Sequence, residues 1–74
     1  MITLYSTDGC PKCKLTKRKL DDMQVEYIEI LANDDDREML KAKGYMEFPV
    51  LVVNDWEASW SGYRVDKLNE LKER

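Results

Sequence analysis

Ile2-Thr3-Leu4-Tyr5-Ser6-Thr7-Asp8-Gly9-Cys10-Pro11-Lys12-Cys13 is the stretch whose reading decides the fold. Met1 to Tyr5 alternates as a half-buried strand does. Ser6 to Gly9 reads as a loop. Pro11 suits the first position of a helix, because its missing N–H would have no partner there anyway. The segment from Pro11 to about Met23 is rich in helix formers, with Cys13, Thr16, Leu20 and Met23 on one face. Two cysteines therefore fall at a strand-to-helix junction. The first stands at the helix N-terminus and the second one turn later, on the face expected to pack on a sheet.

Working outward, Val25 to Ile30 (VEYIEI) is rich in β-branched and aromatic residues and reads as a second strand. Asn33 or Asp34 can cap the next helix, and Asp35 with Glu38 has capping-box spacing. The acidic run Asp34, Asp35 and Asp36 suits the positive end of a helix dipole. That helix is expected to end at Lys43, with Gly44 as a left-handed terminator. Val50 to Val53 is a continuous apolar run and reads as a buried central strand. Asn54-Asp55 is a hairpin turn, and Trp56 to Trp60 the return strand. Gly62 breaks the pattern. A last helix, about Arg64 to Lys72, carries Val65, Leu68 and Leu71 at helical spacing. The order is βαβαββα, an α/β fold in which a mixed sheet is covered by helices.

The chain has 74 residues, enough for one domain (1–74) and too few for two. It is 43% hydrophobic and 36% charged, with 12 basic and 15 acidic side chains giving a net charge of −3. A general nucleic-acid binder is usually strongly basic, so that class is disfavoured. Lys12, Lys14, Lys17, Arg18 and Lys19 still crowd one segment. They read as a solvated helix face, or as a patch that steers an acidic partner. No stretch resembles a signal peptide or a membrane span, and the expected location is cytoplasmic. In a reducing compartment a cysteine pair is catalytic or metal-binding more often than structural.

Cys10-Pro11-Lys12-Cys13 carries the chemistry. Unpaired N–H groups and the dipole at a helix N-terminus favour a negative sulfur, and such placement lowers a thiol pKa from about 8.5 to roughly 3.5–7.5. Thiol–disulfide exchange follows: the Cys10 thiolate attacks a partner disulfide, and Cys13 resolves the mixed disulfide. A structural zinc site needs four Cys or His ligands. The chain has no His and only two Cys, so one copy cannot supply them. A metal or iron–sulfur cluster shared between copies, and a redox-inactive binding module, are the competing classes. Pro49 stands directly before the apolar strand, either as a strand start or as a cis-proline holding a loop against the cysteines.

Together these features resemble the glutaredoxins and, more closely, the NrdH-redoxins, over nearly the whole chain. The likeness rests on ITLYSTDGCPKC, on Glu47-Phe48-Pro49-Val50, and on Ser59-Trp60-Ser61-Gly62-Tyr63-Arg64 with Asp66-Lys67-Leu68. It implies a thioredoxin fold, a four-stranded sheet in the order 2-1-3-4 flanked by three helices, and Pro49 in cis. It implies Cys10 and Cys13 as catalytic residues, with Pro11, Lys12, Phe48 and Pro49 as active-site support. The Phe48 backbone would lie beside Cys10 and pair with an extended substrate segment.

The resemblance also implies a task. Electrons from NADPH would pass through thioredoxin reductase to the Cys10–Cys13 disulfide, with no other bound cofactor, and on to ribonucleotide reductase. Trp60, Ser61, Gly62, Tyr63 and Arg64 would form the docking surface of a monomeric carrier. The plainer readings are core packing for Trp60 and Tyr63, and a surface pair with Asp66 for Arg64. Two departures bear on glutathione. Thr7 stands where glutaredoxins usually carry a lysine. Arg64 or Val65 falls where a side chain should accept the glutathione ammonium group. Both argue against efficient glutathione binding, whereas Pro11 is glutaredoxin-like. A glutathione-dependent glutaredoxin is thus the alternative.

Overall fold

The computed structural model describes residues 1–72. Strand β1 (Ile2–Ser6) buries Ile2, Leu4 and Ser6 and leaves Thr3 and Tyr5 half-buried on the other face. Helix α1 (Pro11–Asp22) follows, with Cys13, Thr16 and Leu20 buried. Then come β2 (Ile28–Leu31), α2 (Asp34–Ala42), β3 (Val50–Val53), β4 (Ala58–Ser61) and α3 (Val65–Leu71). The sheet order is β2-β1-β3-β4. β1 pairs with β2 in parallel and with β3 antiparallel, and β3 pairs antiparallel with β4. Three helices on a four-stranded mixed sheet in this order are the thioredoxin fold that the resemblance implied.

The apolar pattern divides the core between the two faces of the sheet. Ile2, Leu4, Leu51, Val53 and Trp60 meet Leu20 of α1 and Leu68 and Leu71 of α3 on one face. Val50 and Val52 meet Leu40 of α2 on the other, with Tyr5, Met39, Tyr45, Phe48 and Trp56 packed around them. All four residues of β3 are buried because both faces of this strand are covered.

Three boundaries differ from the expectations, each for a local reason. The second strand begins at Ile28 rather than Val25. Gln24 adopts a left-handed conformation (φ 58°), its amide donates to Asp21 O, and the Val25 amide donates to Leu20 O. This is a Schellman closure of α1 with glutamine in the position usually held by glycine. Its hydrogen bonds occupy the chain before it can join the sheet. Asn33 caps α2 as one of the two readings had it, but the capping box lies two residues earlier than Asp35 and Glu38. Asn33 Oδ1 accepts from the Asp36 amide at 2.8 Å, and Asp36 Oδ2 accepts from the Asn33 amide at 3.2 Å. The return strand starts at Ala58 rather than Trp56, because Asn54, Asp55 and Trp56 all take positive φ in the turn. The end of α2 is as expected, with Lys43 at its C-cap and Gly44 at φ 93°.

Candidate active site

The register of the sheet brings three loops to one end. Tyr5 pairs with Val50, and Val50 with Ser61. The chain leaving β1, the chain entering β3 and the chain leaving β4 therefore meet at the same edge. These are the three places where the sequence motifs lie.

Cys10 is the N-cap of α1, extended at φ −103° and ψ 102°, with Pro11 in the first turn. Gly9, at φ 68°, turns the chain into this position. The Cys10 sulfur accepts a hydrogen bond from the Cys13 amide at 3.2 Å, one of the otherwise orphaned donors of the helix start. Cys10 and Cys13 form a disulfide with Cα atoms 5.3 Å apart. The two sulfurs are not equivalent. Cys13 is 2% exposed on the sheet-facing side of α1, while Cys10 is only half-buried at the tip. Below the pair, Thr16 is fully buried and its hydroxyl donates to Lys12 O at 2.8 Å.

The Phe48–Pro49 peptide bond is cis, and Pro49 is buried. Its carbonyl accepts from the Gly62 amide at 2.8 Å, which ties the proline loop to the end of β4. Two further contacts join this region to the cysteine loop. Lys12 Nζ lies 3.8 Å from Glu47 Oε2. Arg37, in the first turns of α2, donates to Thr7 Oγ1 at 2.7 Å and sits 5.7 Å from the centre of the Phe48 ring. Arg37 thus brings a positive charge to the neighbourhood of Thr7.

The run from Trp60 to Arg64 divides by exposure. Trp60 is 7% exposed and belongs to the core with Leu51 and Leu68, and its indole Nε1 has no hydrogen-bond partner among the described residues. Its position fits the plainer reading of core packing. Gly62 is buried, and a Cβ there would run into the Glu47 carboxylate. Ser61 and Tyr63 are half-buried and Arg64 is exposed. Arg64 pairs with Asp66 at 3.1 Å, and its hydrogen bonds hold the Asp66 carboxyl below its ordinary pKa.

Behind the cysteine helix, Glu29 of β2 accepts from Lys17 at 2.9 Å and from the buried Ser6 hydroxyl at 2.8 Å. The Lys17 hydrogen bond, then that of Ser6, holds the Glu29 carboxyl below its ordinary pKa. Lys17 is raised in turn, chiefly by the same bond. Among the described residues, no group of three or more His, Cys, Asp or Glu side chains is placed to hold a metal ion, and no helix is long and apolar enough to cross a membrane.

Sequence reasoning located both cysteines, Lys12 and Pro49 and missed the roles of Arg37 and Glu47. Arg37 reads as an ordinary exposed helix residue. Glu47 was visible only as the neighbour of Phe48-Pro49. Their places at the site depend on tertiary contacts that no local pattern encodes.

The geometry has clear counterparts among known proteins. A family model described as Glutaredoxin matches residues 2–56. The glutaredoxin-like protein NrdH of Escherichia coli is 35% identical over 72 residues, covering 95% of this chain and 86% of the relative. The NrdH of Lactococcus lactis is 29% identical over 73 residues, covering 96% and 99%. The solved structure of the E. coli NrdH-redoxin superposes with a TM-score of 0.88 at 32% identity, over 95% of this chain and 92% of that one. With its cysteine pair in CxxC spacing at the start of α1, the chain belongs to the glutaredoxin family as an NrdH-like thiol–disulfide oxidoreductase.

Proposed function

We propose that the protein is a monomeric, cytoplasmic electron carrier that reduces protein disulfides, that ribonucleotide reductase is its client, and that thioredoxin reductase reduces it in turn with electrons from NADPH. The asymmetry of the cysteine pair carries this reading: a half-buried Cys10 at the helix tip and a Cys13 that is 2% exposed. Only the outer sulfur is open to a partner. In the reduced protein, the Cys10 thiolate attacks one sulfur of a partner disulfide and releases the other as a thiolate. Cys13 then attacks Cys10, forms the intramolecular disulfide and frees the second partner thiol, so two electrons have passed to the partner. The amide of Cys13 that points at the Cys10 sulfur favours its anionic form.

Support for the partner assignment comes from the NrdH relatives, one of which is described as having a thioredoxin-like activity profile. Pro11 and Lys12 shape the helix start, and Pro49 shapes the opposite wall. The Phe48 backbone offers hydrogen bonds to an extended substrate segment. Ser61, Tyr63 and Arg64 form the docking rim, held from beneath by Trp60 and Gly62. Glutathione binds weakly or not at all, since Arg64 and Val65 offer no acceptor for its ammonium group.

Insulin reduction at neutral pH tests the reading. NADPH consumption is followed with thioredoxin reductase, or with glutathione and glutathione reductase. Turnover with thioredoxin reductase alone is expected; turnover with glutathione alone would overturn the proposed electron source. Cys10→Ser is expected to abolish turnover, and Cys13→Ser to accumulate a mixed disulfide visible by mass spectrometry. A fully active Cys10→Ser protein would sink the mechanism.

A further inference from the structure

Glu47 touches both other parts of the site. One carboxylate oxygen faces Lys12, the residue between the two cysteines, at 3.8 Å. The other lies over Gly62, where a Cβ would have to push the carboxylate aside. The carboxylate therefore fills the gap between the cysteine helix and the 61–64 loop, at the point where a substrate reaching Cys10 would place its flanking groups. The Lys12 and Glu47 side chains are 58% and 55% exposed, so the pair contributes little to folding. Its effect falls on what approaches. A negative group beside the substrate disulfide would seek Lys12, and finds the Glu47 carboxylate already there.

We propose that Glu47 selects substrates by charge, acting as a built-in competitor for Lys12 that disfavours disulfides flanked by carboxylates and favours those flanked by cationic groups. This rests on the reading in which Cys10 is the attacking thiol. The chemistry is unchanged: the dithiol loses two electrons to form the Cys10–Cys13 disulfide, the substrate disulfide becomes two thiols, and dithiothreitol restores the dithiol in the assay. A unit charge this near a surface site changes the encounter and mixed-disulfide energies by a modest factor, about three- to tenfold.

Three small disulfides of similar size serve as probes: dithiodipropionate (anionic), hydroxyethyl disulfide (neutral) and cystamine (cationic). For each protein, kcat/KM on the charged probes is divided by its own value on the neutral one. Glu47→Gln is expected to raise the anionic ratio about three- to tenfold and to lower the cationic ratio. Lys12→Gln, which leaves Glu47 unneutralised, is expected to move both ratios the other way. Both shifts should shrink in about 1 M salt, where screening acts within a few ångströms. Ratios that stay the same in Glu47→Gln as in the parent protein, or that move together in the two variants, overturn the charge selection. Cys10→Ser is expected to lose reduction of all three probes, and a Cys10→Ser protein as active as the parent on hydroxyethyl disulfide overturns the Cys10 reading beneath it.

Discussion

Arg37 donates a hydrogen bond to Thr7 Oγ1 at 2.7 Å, joining the start of α2 to the loop that carries Cys10. The same guanidinium lies over the Phe48 ring, so one side chain ties both walls of the site together. The bridge is exposed, and each of its contacts is worth about 0.5–1 kcal/mol. Arg37→Met is therefore expected to lower unfolding free energy by less than about 1.5 kcal/mol. It should lower kcat/KM for a protein disulfide about two- to fivefold, since 0.5–1 kcal/mol of positioning is lost. Arg37→Lys should fall between, because lysine keeps the charge but not the planar fork. Urea unfolding together with insulin reduction checks both; a Met variant equal to the parent in each would deny the bridge any role.

Gly62 holds φ at 83°, and a side chain there would meet the Glu47 carboxylate. Two penalties would act on Gly62→Ala, and their sizes differ. The carboxylate ends a flexible side chain and can swing aside, whereas the backbone cannot. The substitution should destabilise by about 1–2 kcal/mol, mostly from backbone strain. Adding Glu47→Ala should recover less than about 0.5 kcal/mol of it. Denaturation midpoints of the two single variants and the double variant decide the split.

Glu29 gives the fold a pH-dependent contribution. Its folded-state pKa is depressed, so the stability it adds is present above about pH 4.3, the ordinary glutamate value, and fades as pH falls through the lower folded value. Lys17, with a raised pKa, behaves in the opposite sense: its contribution holds below about pH 10.4 and is lost as pH rises past its folded value. The Glu29 side chain is 39% exposed, so at neutral pH Glu29→Gln should cost under about 1 kcal/mol. The gap between parent and variant should close as pH falls below the ordinary glutamate range and through the lower folded value. Urea midpoints measured across that range would expose a constant gap, the result that contradicts this account.

Trp60 combines large burial with an indole N–H that has no partner among the described residues. Trp60→Ala should destabilise by about 3–5 kcal/mol through the cavity it leaves. Trp60→Phe loses volume too, but it also removes a buried orphan donor whose desolvation costs about 1–3 kcal/mol. The two effects oppose each other, and the net change is expected to stay within about 1 kcal/mol. A Phe variant as unstable as the Ala variant would mean that the indole N–H is satisfied in solution.

The fold was largely legible because its apolar residues follow their periods. Val50–Val53 announces a strand covered on both faces, and Cys13, Thr16 and Leu20 announce the buried face of α1. Gly44 marked the end of α2 for the physical reason that glycine takes a left-handed conformation at no steric cost. The end of α1 near Met23 was read correctly, but the turn that closes it escaped notice, because Gln24 takes that conformation without being glycine. β2 was therefore started at Val25 instead of Ile28. The three positive-φ residues after Val53 likewise carry side chains, which is why the strand starting at Ala58 was placed too early. At the site, the cysteine pair and Pro49 could be named from sequence. The Arg37–Thr7 bond spans 30 residues, and the Lys12–Glu47 pair joins different loops. Such contacts exist only once the sheet has assembled.

The strand register has one more consequence. Ile2 stands opposite Val53, and Val53 opposite Ala58, so the Asn54–Glu57 turn leaves the sheet from the end away from Tyr5, Val50 and Ser61. A tether attached at the exposed Asp55 would hold the molecule with its reactive sulfur pointing outward. The hairpin is a ready handle for anchoring the protein to a bead or an electrode in a single orientation.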